Sequence, residues 1–156
     1  MTSGDELKAV MRRYPYGVSV VTVDLEGECL GLTVASLISL ALKPPLVGIS
    51  IARQAALHEL LRAAGHFAVS LLGADQEALA QHFARGVPPI ALWHGISLHG
   101  GGCAPRLKGA LGWLDCDLDA EHAAGDHTIF VGRVAHAVEG RAGAPLLRID
   151  GSYRSA

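Results

Sequence analysis

Between Leu114 and Glu121 the chain reads LDCDLDAE, so that Leu114, Cys116, Leu118 and Ala120 alternate strictly with Asp115, Asp117, Asp119 and Glu121. Successive side chains of a strand point to opposite faces, and this alternation therefore specifies a strand with one buried and one wet face. The acidic row is expected on the solvated face, not as a pair of catalytic carboxylates. "HAAGDH" follows as a turn and "TIFVGRVAHAVE" as the partner strand. Two strand patterns joined by so short a turn pair antiparallel, because a parallel crossover needs a dozen or more residues.

The rest of the chain carries the same punctuation. Ser3-Gly4-Asp5-Glu6 has the spacing of a capping box and predicts a short helix ending before Pro15. Gly17–Asp24 is a β-branched strand, "DLEGE" a turn, and "CLGLTVASL" a return strand. Pro45–Ala52 is apolar enough for a strand buried on both faces. A helix over Gln54–Gly65 follows from Leu57, Leu60 and Leu61 at helical spacing, with Gly65 as terminator. "HFAVSLL" is a further strand, "DQEALAQHFARG" a second amphipathic helix closed by Gly86, and Val87–Pro105 one long loop. "PLLRIDGSY" is expected as one last short strand. Six or seven strands with helices bunched between them point to an antiparallel barrel, since a doubly wound parallel sheet needs regular alternation.

Composition excludes several classes. A length of 156 residues fits one domain, and half of them are apolar. The net charge of −2 and 18% charged residues leave no footprint for a polyanion such as nucleic acid. Cys29, Cys103 and Cys116 form neither a CxxC pair nor a disulfide framework, which suits a reducing compartment. The N-terminus is charged throughout, and no apolar run reaches the roughly 20 residues that span a bilayer. A soluble, cytoplasmic protein is expected. His94, His99 and Cys103 share one loop and His122 and His127 flank a turn, but neither set has zinc-site spacing, and no metal is expected. There is no GxSxG or HExxH motif. Gly100–Gly102 follows no strand and opens no helix, so it is not a dinucleotide fingerprint.

One stretch asks for a ligand. In "GLTVASLISLALKPP" (Gly31–Pro45) Thr33, Ser36 and Ser39 interrupt a greasy run that Lys43, Pro44 and Pro45 then break. If the strand curls near Val34, its amides lose their ladder partners and, with three hydroxyls, could line a site for a flat, hydrogen-bonding ligand. The same hydroxyls could equally cap the turn or the backbone.

From Met11 to the C-terminus the chain resembles the short flavin reductase family with the FMN-binding split-barrel fold. The matching segments stand in the family's order. They are "RRYPYGVSVVTV", "GLTVASLISLALKPPLVGISIA" with its Thr-x-x-Ser core, "ARQAALHELLRAAGHFAVSLL", "LAQHFA", "GDHTIFVGRV" and the terminal "GSYRS". The resemblance implies a mainly β chain, an antiparallel Greek-key split barrel with a few flanking helices, forming one domain over residues 1–156. It implies an NAD(P)H:flavin oxidoreductase that passes a hydride from NADH or NADPH to FMN or FAD and supplies reduced flavin to a partner monooxygenase. A homodimer is implied as well. By the same resemblance Thr33, Val34, Ala35 and Ser36 wrap the flavin, with Ser39 at the same bend, and Ser50, Ile51 and Ala52 form a second group of contacts. Arg53, Gln54 and His58 stand around a helix start suited to a phosphate, and Phe83 matches an aromatic near the flavin. His127 would position the nicotinamide, with Tyr153 in the same pocket. No side chain need act as acid or base, because the cofactors carry the hydride chemistry and the protein orients them. The chain departs from the family at Ala55, Ala56 and Leu57, where hydroxyls are usual. That departure keeps a non-catalytic flavin carrier or regulatory module as the alternative, and a tightly held FMN that reduces a substrate directly as a third reading.

Overall fold

The hairpin anticipated from the Leu114–Glu121 alternation is the spine of the molecule. In the computed structural model, which describes residues 1–85 and 88–156, the strands preceding it are arranged about it. They are β1 (Tyr16–Gly17), β2 (Ser19–Leu25), β3 (Glu28–Val34), β4 (Ile38–Leu42), β5 (Pro45–Ala52), β6 (His66–Leu71), β7 (Leu98–His99) and β8 (Arg106–Leu107). The spine itself is β9 (Gly112–Ala124) and β10 (His127–Glu139), and β11 (Leu146–Ile149) and β12 (Ser152–Ser155) complete the strands. Among the described residues four α-helices, α1 (Gly4–Met11), α2 (Ala56–Ala64), α3 (Glu77–Ala84) and α4 (Pro89–Leu92), and a 3-10 turn at Ala74–Gln76 join them.

Seven strands form one antiparallel sheet in the order β3-β2-β6-β9-β10-β5-β4. Its two edges, β3 and β4, are consecutive in the chain and are joined by Ala35–Leu37. The fold is thus mainly antiparallel β with few helices, and the hydrogen-bonded ladder runs open from β3 to β4. The core is filled by Val20, Val21, Val23, Ile49, Ile51, Phe67, Val69 and Phe130, with β2 buried on both faces and Leu57 and Leu61 of α2 in the same cluster. No helix among the described residues is long and apolar enough to cross a membrane.

Local chemistry explains the element ends. Ser3 caps α1 by accepting the Glu6 N–H at 3.1 Å. Glu26 and Gly27 both take positive φ, as a two-residue turn between β2 and β3 requires, and Asp24 Oδ1 accepts the Gly27 N–H. Gly65 ends α2 in the left-handed conformation with its N–H on Leu61 O.

Four expectations need correction. Asp115 is not on a wet face: it is 5% exposed and paired with Arg106, Nη2 to Oδ2 at 2.5 Å, while Asp117, Asp119 and Glu121 are exposed. Strict alternation fails there because the segment before Arg106 lies across the start of β9 and covers its outer face. Val87–Pro105 is not one loop, since it contains α4 and β7, and β7 pairs with β8 through Leu98–Leu107 and His99–Arg106. Gly86, expected to close α3, and Val87, the expected loop start, lie outside the described residues. "PLLRIDGSY" is not one strand but most of a hairpin, β11–β12, turned at Asp150 and Gly151 with φ of 50° and 73°. Finally, β5 is not buried on both faces throughout, for Leu46, Ser50 and Ala52 are half-buried.

Candidate active site at the ends of β3, β5 and β10

The Thr33–Ser39 segment is a strand end, a bend and a new strand, so its three hydroxyls have three different environments. Thr33, still in β3, donates to Ala80 O of α3 at 2.6 Å. Ser36 sits in the bend, where its hydroxyl donates to Ser50 O at 3.1 Å and accepts the Ser50 N–H at 3.0 Å. Ser39 is exposed on β4. Val34 is buried, and Ala35 and Ser36 are half-buried. Two of the hydroxyls are therefore spent on the main chain, and Ser36 ties the bend to the last residues of β5.

From Ser50 the chain leads to a second expected group. Ser50, Ile51 and Ala52 pair with Ile129, Thr128 and His127, so the end of β5 lies against the first residues of β10. Arg53 continues the contact, its N–H bonding Asp126 O at 3.0 Å. His127 Nδ1 donates to the Asp126 carboxylate at 2.8 Å. That bond, then the histidine's charge, holds the Asp126 carboxyl below its ordinary range. Two sequence segments some 75 positions apart thus meet at one edge of the sheet.

Beyond Arg53, α2 starts with no side-chain cap, because Ala55 occupies the N-cap position. Its first-turn amides have no hydroxyl or carboxylate to receive them, as the missing Ser and Thr residues foretold. Arg53 and Gln54 are exposed directly ahead of them. Two hollows flank this helix start. One, of about 380 Å³, joins Gln54 and Leu57 to Gly31 of β3 and to Phe83, Pro88 and Leu92. The other, of about 260 Å³, joins Arg53 and Glu59 to Arg62, Glu121 and Thr128, with His58 in its wall.

His58 is 4% exposed and has both ring nitrogens committed, Nε2 to Thr128 Oγ1 at 2.7 Å and Nδ1 to Glu59 Oε1 at 2.8 Å. A carboxylate only accepts, so Nδ1 carries the proton; in the neutral ring Nε2 accepts the Thr128 hydroxyl. The hydrogen bond from His58, followed by that from Arg62, lowers the Glu59 pKa.

The structure brings together most of the expected residues, sets Tyr153 apart, and leaves Phe83 at the wall of the hollow beside Gln54 as a packed core ring. Tyr153 lies under Arg148, whose guanidinium carbon is 4.6 Å from the ring centroid, and lines a hollow with Glu77, Gln81 and Arg85. Its sheet attaches through β1, near the end where Ser19, Leu71, Gly112 and Glu139 align. His127 opens β10 and Glu139 closes it, so within one chain the two residues stand at opposite ends. Phe83, in turn, is buried against Trp93 at 5.3 Å between centroids. Sequence reasoning missed Gly31 and Trp93. A Cβ on Gly31 would come within 2.7 Å of the Phe83 ring, and Trp93 Nε1 donates to Cys29 O at 2.9 Å. An isolated glycine in a strand pattern was the available signal for such a close approach. Among the described residues no three His, Cys, Asp or Glu side chains converge as metal ligands would.

Comparison with known proteins assigns the family. The family model of the flavin reductase like domain matches residues 11–156. The reductase component of 4-hydroxyphenylacetate 3-monooxygenase from Thermus thermophilus is 41% identical over 150 residues, covering 96% of this chain and 95% of that protein. The NADH:FMN oxidoreductase of Rhodococcus qingshengii is 36% identical over 156 residues, covering 95% and 79%. Among solved structures, the NADH:FAD oxidoreductase of Streptomyces globisporus superposes with a TM-score of 0.92 at 37% identity, covering 99% of this chain and 95% of that one. The same protein in complex with NAD and FAD fragments gives a TM-score of 0.90, covering 96% and 90%. Identity of this extent, spread over the same length as the structural match, exceeds what a shared fold produces, and the chain belongs to the flavin reductase family.

Proposed function

We propose that this protein is an NADH-dependent flavin reductase that passes a hydride to FMN or FAD and supplies reduced flavin to a monooxygenase component. The observation that carries the reading is the junction where the end of β5, the start of β10 and the uncapped start of α2 meet. Donors without a side-chain cap gather there: the Arg53 guanidinium, the Gln54 amide and the Ala56 and Leu57 amides that open α2, the His58 N–H being already bonded to Ala55 O at 3.0 Å. A phosphate is the ligand such a helix start favours, through its free N–H groups and its dipole. The half-buried Ala35, Ser36, Ser50 and Ala52 would floor the ring site, with Thr33, Val34 and Ile51 fixing that floor from behind and Ser39 at its rim. Phe83 would bound the ribityl side. A bound flavin supplies the electron acceptor. The chain's own residues bind it, hold it and leave one side open, where His127 would orient the nicotinamide.

The finer features belong to the same proposal. The chain would act as one domain over residues 1–156, with the open sheet curled into a split barrel by the β3–β4 bend. It would work in the cytoplasm, with NADPH as an alternative donor. A homodimer is favoured by the edge strand β4, which exposes Ile38, Leu40 and Leu42 at 57%, 47% and 82%. An exposed apolar edge of this kind is normally covered. Tyr153 would then reach a nicotinamide site only across that dimer.

The test is NADH oxidation in air, which FMN or FAD should accelerate in proportion to protein added. A second reading, a flavin carrier without reductase activity, is favoured by the commitment of Thr33 and Ser36 to the main chain and by the missing hydroxyls at Ala55, Ala56 and Leu57. It predicts quenched flavin fluorescence with no consumption of NADH.

A further inference from the structure

His58, like Thr33 and Ser36, is an expected flavin residue whose side-chain polar atoms are used inside the chain. Its ring has nothing left to offer a phosphate, yet it is one of the few buried polar groups at this end of the molecule. What it touches is β10. Along that strand Thr128 and Phe130 are buried, whereas His127 is half-buried and Ile129 exposed. The ring of His58 hydrogen-bonds Thr128 and lies 5.1 Å from Phe130, centroid to centroid. It therefore braces two successive inward residues at the very start of the strand.

Strand starts beside a hairpin turn are held by few rungs and open easily. The main-chain rungs to Ala52 and Ala124 fix the height of His127 but not the rotation of the strand about its axis. Two side-chain contacts one strand repeat apart do fix it. Glu59 completes the device, because its carboxylate holds the proton on Nδ1 and keeps Nε2 an acceptor.

We propose that His58 is a positioning residue for the nicotinamide side of the site: through Thr128 it fixes the start of β10 and thereby aims His127. This rests on the reductase reading above and assigns His58 to a different half of the site than the helix start it belongs to. The side chain works at one remove and makes no contact with either nucleotide.

The test pairs Thr128→Val, which removes the hydroxyl at constant shape, with Thr128→Ser, which keeps it. His58→Leu is paired likewise with His58→Gln, whose amide oxygen can still accept from Thr128. Flavin affinity is read by fluorescence quenching with FMN alone, NADH handling by steady-state kinetics, and folding by Tm. Thr128→Val and His58→Leu should each lower kcat/KM for NADH about tenfold, mostly through KM, with the FMN dissociation constant changed less than about twofold. Thr128→Ser and His58→Gln should recover most of the loss. The Thr128→Val, His58→Leu double variant should be no worse than either single, as one shared interaction requires. The proposal is overturned if NADH kinetics are unchanged in the two disruptive variants. It is equally overturned if FMN affinity and NADH efficiency fall together in step with Tm, the mark of a structural role alone. A wild-type protein that oxidises no NADH with FMN or FAD would instead overturn the reductase reading, and the positioning role with it.

Discussion

Two ends of this sheet bury polar side chains, and they do so to opposite effect. Where β9 begins, Arg106 and Asp115 are 8% and 5% exposed and bond to one another. Around them Trp113 Nε1 donates to Leu107 O, His99 stacks on Trp113 at 4.1 Å, and Ser70 Oγ accepts the Leu107 N–H. Every group there has its partner on the segment that covers it, and the result is a closed seam. Where β10 begins, Ser36 bonds Ser50 and Thr128 bonds His58, but Arg53 and Gln54 stand exposed ahead of an uncapped helix. The buried bonds at that end fix the strands, and the free donors face outward. Burial of paired polar groups thus marks where the sheet is rigid, and the unspent donors beside it mark the place proposed for the flavin.

That contrast can be broken by mutation. Asp115→Ala should destabilise most, by about 3–5 kcal/mol in urea denaturation, because it leaves the Arg106 charge buried and unpaired. In the folded fraction flavin affinity should be unchanged, and a lost affinity would mean that the seam belongs to the site after all. Gly132→Ala comes next. Its Cβ would lie 2.5 Å from the Phe67 ring and 2.9 Å from Cys116 Cβ, and Phe67 has no solvent to move into. A cost of about 1–3 kcal/mol is expected from overpacking, again with little effect on NADH or flavin kinetics. Ser36→Ala, at the other end, should cost only about 1 kcal/mol yet weaken flavin binding severalfold, since it frees the bend from β5.

The smallest effect is on the pH dependence of stability. Cys103 and Cys116 sit at the seam, where burial, the largest cause, raises their thiol pKa values to about 11 and about 12 from an ordinary 9.0. Both are therefore neutral thiols in the folded protein when the unfolded chain already ionises. Stability from this source is fully present below pH 9 and is lost as pH rises through about 11 to 12. Alkaline melting of Cys116→Ala should be correspondingly less steep than that of the wild type, and equal slopes would count against a desolvated thiol.

The two ends also differed in how far the sequence disclosed them. The alternation at Leu114–Glu121, the capping box at Ser3 and the terminator Gly65 are local signals, and the elements they predict are present. The Thr33–Ser36, Ser50–Gln54 and His127 segments were singled out through family resemblance alone, and the register of β5 on β10 brings two of them into contact. Asp115 was misread because nothing near it in sequence announces that a segment beginning at His99 will fold across β9 and present Arg106. The β11–β12 hairpin was missed for a related reason. Asp150-Gly151 is a turn signal, but the strands around it have only four residues each, too short for a pattern to show. The Thr128 partner of His58 was illegible as well, since it lies 70 positions away and only the packing of α2 against β10 brings it near.

A redox site at the ends of β5 and β10 must reduce flavin there. Rapid anaerobic mixing of the protein and FMN with NADH, following the flavin's own absorbance, reads that step. The expected result is bleaching of FMN to the reduced form at a rate that saturates with NADH and drops sharply in His127→Ala. Flavin that binds, as shown by quenched fluorescence, but bleaches no faster than in buffer alone would contradict such a site.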